Sequence, residues 1–238
     1  MITSKNITLF KKSLESISGL IQETNVRFKD EGIYIKSIDK TQIILVDFFM
    51  PKAIFDNYSV DPSLIGLNIF ELNNMISRSF ESDKLKLELG DNQLDISLTG
   101  TLNRKFNLSY IDVLDQEVNV PEMKYSTEIV LKAYLLKEIL KDVSLISSTL
   151  TFKVIDDKFI VEAIGEKGKI ETNIPKIKLK SKKNIFLKFS LSYLKNILKS
   201  IDNDTEITLR LEEDAPLYIE YYIDNLVLIK IYLSSMLI

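Results

Sequence analysis

The stretch TLFKKSLESISGLIQ (8–22), followed by GIYIKSIDKTQIILVDFFM (32–50), decides the fold, because the same succession returns once later in the chain. In the first segment Phe10, Leu14, Ile17 and Ile21 recur at the spacing of one helix face. In the second, Ile33, Ile35 and Ile38 open an apolar set and 43–49 is nearly continuous, the signature of strands. A shorter helical pattern, FELNNMISRSF (70–80), and an alternating run, KLKLELGDNQLDISLTG (84–100), complete the set. Near residue 125 the order restarts with the helix AYLLKEILKDVSLI (133–146) and the strands TLTFKVIDDKFIVEAIG (149–165). The helix SLSYLKNILKSI (190–201) and the strands of 205–233 follow. Identities between the halves are faint, so the repeat is one of element order and periodicity. Halves of about 110–120 residues match the ordinary size of a domain.

The local chemistry supports hairpins. Leu85, Leu87 and Leu89 alternate with Lys84, Lys86 and Glu88, and Gly90-Asp91-Asn92 turns the chain back into Leu94, Ile96 and Leu98. Phe152 and Val154 face Phe159 and Val161 across Asp156-Asp157-Lys158. Ile207, Leu209 and Leu211 precede a turn at Glu213-Asp214, and 217–222 returns. The reading is α+β: two topologically similar domains of antiparallel hairpins, each with two helices on one side. The first spans 1–111 and the second 125–238. Between them 112–124, acidic and holding Pro121, reads as an extended connector. The basic run 176–183 reads as a solvated surface loop.

Composition narrows the function. The 238 residues hold 45% hydrophobic side chains with only 7 glycines and 5 prolines, enough for packed cores. No run approaches a membrane span and no cleavable leader opens the chain, so an intracellular protein is expected. Absence of histidine and cysteine removes the commonest general base, metal ligand and nucleophile together. No phosphate loop or nucleophile elbow stands out. A non-enzyme without cofactor or metal is the expectation; a carboxylate hydrolase would need converging acids that no spacing here demands.

A net charge of −3 does not exclude nucleic acid, because charge position matters more than its sum. On the helices Lys11 and Lys12 lie off the apolar face, as do Lys137 and Lys141, one turn apart. Lys195 and Lys199 repeat that spacing, while the second helix offers only Arg78. Each pair alone is an ordinary solvated face, but its recurrence on three helices raises the prospect of a shared basic surface.

The chain resembles a known family. Gly32 to Asp39 with Gln42 to Val46, Gly66-Leu67-Asn68, 120–125 and Ala215 to Tyr221 are similar, in order and spacing, to the sliding clamp called proliferating cell nuclear antigen. The resemblance covers essentially the whole chain. It implies the DNA clamp fold: pseudo-sixfold rings of three two-domain subunits, helices lining the hole and sheets outside. It implies a processivity factor for DNA polymerase, with a checkpoint or repair-type clamp subunit as the alternative. Lys11, Lys12, Arg78, Lys137, Lys141, Lys195 and Lys199 would then face sequence-independent duplex DNA, since long lysines hold phosphate without reading bases. Asn74 and Ser77 stand where relatives often carry lysine.

The resemblance also implies partners: a clamp loader, and DNA polymerase, flap endonuclease and DNA ligase docking short peptides. Their pocket would take Ile38, Gln42, Ile43, Val118, Val120, Pro121, Pro216, Tyr232 and Ser234; for Ile38, Ile43 and Val120 the plain reading is core packing. The tail YLSSMLI (232–238) lacks the proline and cation that relatives often carry. The subunit joint would pair the strand of Arg104, Phe106, Leu108 and Tyr110 with that of Lys169, Ile170, Thr172 and Ile174. The composition is archaeal-like, and the departures in tail and second helix lean toward a mixed trimer over a homotrimer. Cytoplasm and nucleoid, or the nucleus in a eukaryote, would be the compartment.

Overall fold

The halves fold alike because the same order of apolar periods is written twice. The computed structural model describes residues 1–114, 118 and 123–237. In the first half β1 (Ile2–Ser4) and α1 (Ile7–Ser18) precede β2 (Glu23–Lys29), β3 (Gly32–Ile38) and β4 (Ile44–Pro51). β5 (Asn57–Tyr58), β6 (Ser63–Asn68) and α2 (Ile69–Ser77) follow, then β7 (Lys84–Leu89), β8 (Gln93–Thr99) and β9 (Arg104–Ser109). The second half restarts with β10 (Thr127–Lys132), α3 (Ala133–Val143), β11 (Thr149–Ile155), β12 (Lys158–Gly165) and β13 (Gly168–Asn173). It continues through β14 (Lys178–Ser181), β15 (Ile185–Ser190), α4 (Leu191–Lys199), β16 (Glu206–Leu211), β17 (Leu217–Ile223) and β18 (Val227–Leu233). Residues 1–119 and 223–229 form one unit, and 120–222 and 230–238 the other.

Strand order is duplicated as well. The first unit arranges β5-β1-β7-β8-β9 and β4-β3-β2-β6; the second arranges β14-β10-β16-β17 and β13-β12-β11-β15. All of these neighbours run antiparallel. α1 packs on α2 in one unit and α3 on α4 in the other. Each unit closes its own core. Phe10, Leu14, Ile17, Phe28, Phe48 and Leu72 are buried in the first, and Leu136, Leu140, Phe152, Phe159, Phe189 and Leu194 in the second. In the second, Phe152 meets Phe159 edge-on with ring centroids 5.2 Å apart.

The helices are shorter than read, with 78–80, 144–146 and 200–201 falling outside α2, α3 and α4 because each is capped and turns there, and two further readings need correction. The helix read at 8–22 ends at Ser18, where Gly19 caps it and the amides of Leu20 and Ile21 both return to the Ile17 carbonyl. Ile21 still points into the core from the following turn. The basic run read as a loop contains β14, which pairs with β10 from Thr127↔Ser181 to Val130↔Lys178. Exposed Lys178 and Lys180 alternate with half-buried Leu179 and Ser181, so this is a short edge strand carrying lysines, a common guard on exposed edges. The hairpin turns hold as read. Asp156 and Asp157 adopt φ of 49° and 56°, the left-handed pair that a two-residue β-turn requires.

Candidate nucleic-acid interface

The helices carry the cations. Lys195 and Lys199 are exposed on α4, which bears no acidic residue. Arg78 is exposed where α2 ends. Lys141 is exposed too, with Glu138 one turn back at 2.6 Å. Both side chains are more than half in water, so that pair contributes a few tenths of a kcal/mol, on the order of an exposed helix pair. Lys12 is half-buried on α1.

Lys11 and Lys137 reach backbone carbonyls beside the neighbouring helix; Lys12 is not without a partner either. The Lys11 ammonium donates to the Ser77 carbonyl at 3.0 Å, on the last residue of α2. The Lys137 ammonium donates to the Ile201 carbonyl, just past α4, and to Asn203 Oδ1 at 3.1 Å. Burial holds the Lys137 ammonium below the usual lysine range, and the neighbouring Lys141 charge adds to the effect against the opposing pull of Asp202.

Arg104, read as a joint residue, works inside its own unit. Its Nη2 meets the buried Asp83 carboxylate at 2.8 Å and its Nη1 donates to the Arg78 carbonyl. The guanidinium also lies 4.8 Å over the Phe80 ring. Asp83 takes the Phe80 amide as well, at 3.0 Å. A side chain at Gly100 would start 2.1 Å from Asp83 Oδ1, so a larger residue there would displace that carboxylate. The start of β9 is thereby fastened to the end of α2.

β9 and β13 each lie at the end of a sheet. The Tyr110 amide donates to Asn92, which fixes the alternation: Arg104, Phe106, Leu108 and Tyr110 turn their backbone groups toward β8. Lys105, Asn107 and Ser109 therefore aim theirs outward. On β13 the Ile174 amide donates to Phe159, so Ile170 and Thr172 bond inward while Lys169, Glu171 and Asn173 face out. The residues read as the joint set the core side of each edge strand, with Leu108 and Ile174 buried and Phe106, Ile170 and Thr172 half-buried. Of that set only Lys169 directs its backbone outward. Sequence reasoning missed the large apolar side chains nearby: Phe80 and Leu102 beside β9, and Leu145 and Ile164 beside β13, are 48%, 53%, 67% and 64% exposed. The turn carrying Leu145 abuts the β12–β13 hairpin, since a side chain at Gly165 would start 2.0 Å from the Ile146 carbonyl.

The residues read as a peptide pocket separate by unit. In the first, Ile38 is 42% exposed at the end of β3 and shares a cleft of about 400 Å³ with Val118, Lys36 and Leu114. Gln42 is exposed at φ 58° in a loop organised by Asp39. That carboxylate accepts the amides of Thr41, Ile43 and Ile44 at 3.1, 2.8 and 2.6 Å. Burial pushes Asp39 up, but the hydrogen bonds from Thr41, Ile44 and Ile43 outweigh it and hold the carboxyl below its usual range. Ile43 is half-buried. The chain leaving β9 is pinned to this unit, with the Ile111 amide donating to Gly66 at 3.0 Å and the Asn25 amide group to the Val113 carbonyl at 3.0 Å.

In the second unit Tyr232 meets Tyr218 edge-on at 5.2 Å, and Tyr218 lies 5.9 Å from Tyr125. The Tyr125 hydroxyl donates to the Pro216 carbonyl at 3.1 Å. Burial raises the Tyr125 hydroxyl to about 12 and Tyr218 further, where Glu220 adds to it. Ser234 is exposed. Val120 and Pro121 lie outside the described residues.

Comparison with known proteins settles the relationship. The model of the proliferating cell nuclear antigen N-terminal domain matches residues 2–120, and that of the C-terminal domain matches 119–236. The chain belongs to the proliferating cell nuclear antigen family. Among curated relatives, a DNA polymerase sliding clamp of Pyrococcus horikoshii is 33% identical over 90% of this chain and 89% of its own. One of Methanococcus vannielii is 30% identical over 91% of each. The crystal structure of PCNA from Thermococcus kodakaraensis superposes with a TM-score of 0.91 over 99% of both chains at 24% identity.

The family's clamp fold is thus the fold of this chain, with two α+β domains. Among the described residues no cluster of acids could hold a metal ion, and no helix is long and apolar enough to cross a membrane.

Proposed function

We propose that the chain is a DNA polymerase processivity factor, one subunit of a three-subunit ring that encircles duplex DNA. The observation that carries this reading is the duplicated unit in which a pair of helices presents cations while the sheets end in free edges. Head-to-tail joining of three chains, identical or paralogous, closes the ring by pairing β9 of one with β13 of the next. Outward backbone groups of Lys105, Asn107 and Ser109 then meet those of Lys169, Glu171 and Asn173, and the apolar Phe80, Leu102, Leu145 and Ile164 leave solvent at the joint.

Half-buried Lys12 and exposed Arg78, Lys141, Lys195 and Lys199 supply phosphate contacts that read no sequence. The domains run 1–111 and 125–238 with the connector at 112–124. Peptides of polymerase, flap endonuclease and ligase engage the residues around Ile38 and Gln42 in the first domain and around Tyr232 in the second, and a clamp loader opens the ring. The protein performs no chemistry of its own; it works inside the cell, on the DNA.

Primer extension on a primed circular single strand tests this. With polymerase and loader present, adding the protein, together with any paralogous clamp chains from its source, should lengthen the products of a single binding event. Product lengths unchanged by the protein would refute it.

A further inference from the structure

We infer that Lys11 and Lys137 are positioning residues rather than phosphate ligands: each ties the first helix of its unit to the C-terminal end of the second. The inference rests on the proposed DNA-encircling function only in naming what the tied helices present.

The two lysines are the same residue of the repeat. α1 begins at Ile7 and α3 at Ala133, so Lys11 and Lys137 both occupy the fifth helical position. Each sends its ammonium across to the neighbouring helix. Lys11 reaches the carbonyl of Ser77, which closes α2, and Lys137 reaches that of Ile201, two residues beyond the end of α4. Carbonyls at a helix C-terminus lack intrahelical donors and gather the negative end of the helix dipole, so a cation there is held by charge as well as by a hydrogen bond. α2 has no basic residue in its own last turn, and Lys11 supplies the missing charge from next door.

The position immediately after breaks the repeat. Lys12 in α1 corresponds to Glu138 in α3, so charge at that site is not shared by the two units, whereas the tie is. The partial burial of Lys137 and the nearby Lys141 charge lower its titration, and the two acceptors it reaches act against that, favouring the charged ammonium. An ammonium used in this way has fewer protons left for phosphate, and removing it should disturb the seating of one helix on another.

Two readouts on the full chain separate the roles. Lys11→Met and Lys137→Met should each lower the melting temperature by about 2–4 °C, as expected for loss of a partly buried charge at a helix end in a chain of this size. Lys11→Arg and Lys137→Arg, which keep charge and donors, should recover most of it. Binding to a short duplex, followed against salt, should keep its slope in the Met variants. Lys195→Met, which removes an exposed cation, should instead melt like the parent and lower the slope by about 0.9 for each phosphate it had neutralised. Parental melting in both Met variants, or a slope that falls as far as in Lys195→Met, overturns the inference. If the parent chain shows no salt-dependent binding, the proposed function fails, and the melting series with its Arg rescue still decides the tie.

Discussion

α2 and α4 have one skeleton and two surfaces. Both span nine residues, and Ile69, Leu72 and Ile76 of the first are buried at the same spacing as Leu191, Leu194 and Leu198 of the second. Outside that stripe they diverge. At the positions of Lys195 and Lys199 in α4, α2 carries Asn73 and Ser77, and its one acid is Glu71, whose amide is capped by Asn68. The buried spacing fixes where a helix lies, and the exposed positions are then free to change what it presents. In a ring built from both units, α4 would carry the stronger hold on DNA and α2 the weaker. The units differ at their free edges too, since β9 is latched to α2 by Arg104 and Asp83, while on β13 Lys169 pairs with Glu171 of its own strand and with buried Glu162 of β12.

The largest effect in this comparison is expected at β9. Asn107→Pro deletes an outward amide without touching the ladder to β8, because proline is tolerated on an edge strand whose N–H faces away. Light scattering should show the assembled species replaced by single chains with parental secondary structure. A variant that still assembles would mean β9 is not the joint. Leu108→Pro is a poorer probe, since that amide bonds inward and its loss would damage the unit itself.

The latch comes next. Asp83→Ala strands Arg104 without its partner and should cost about 3–5 kcal/mol, the range for breaking a buried pair. Denaturant unfolding measures it, and a change under about 1 kcal/mol, no more than an exposed pair contributes, would show the latch is idle. Converting the face of α4 into that of α2, with Lys195→Asn and Lys199→Ser, should reduce the salt slope of duplex binding by roughly 0.9 for each phosphate no longer neutralised. Asn74→Lys on α2 should move it the other way. Equal slopes in all three proteins would erase the contrast between the helices.

The smallest effect concerns acid. Hydrogen bonds from Lys153 and Lys169 hold the Glu162 carboxyl below its usual range. Its folded value is depressed, so the stabilisation is present above the ordinary glutamate pKa and is lost as pH falls through the lower folded value. Glu162→Gln should lose on the order of 1 kcal/mol at neutral pH and decline less steeply than the parent as pH drops below the ordinary carboxylate range. Parallel pH profiles for the two proteins would contradict this.

The helix faces and hairpins were legible because apolar period and turn chemistry are local. Leu85, Leu87 and Leu89 alternate, and Asp156-Asp157 accepts left-handed backbone, whatever lies elsewhere in the chain. β14 is hard to read in sequence because the charges of Lys178 and Lys180 mask the short alternation with Leu179. For the site, sequence put Lys11 and Lys137 off the apolar face but could not reveal their acceptors, because a backbone carbonyl leaves no mark in the residue order. Arg104 and Asp83 are 21 positions apart and meet only through the fold. The gathering of Tyr125, Tyr218 and Tyr232 is likewise non-local, with Tyr125 ahead of β10 and the other two on β17 and β18.

The proposed ring would hold DNA by enclosing it. The direct measurement loads the protein, with its clamp loader and any paralogous clamp chains, onto a nicked circular duplex, then compares retention before and after a single cut. The account predicts that protein stays with the circle through gel filtration at moderate salt and is lost within minutes once the DNA is linear. Equal retention on circular and linear DNA, or none on either, would contradict it.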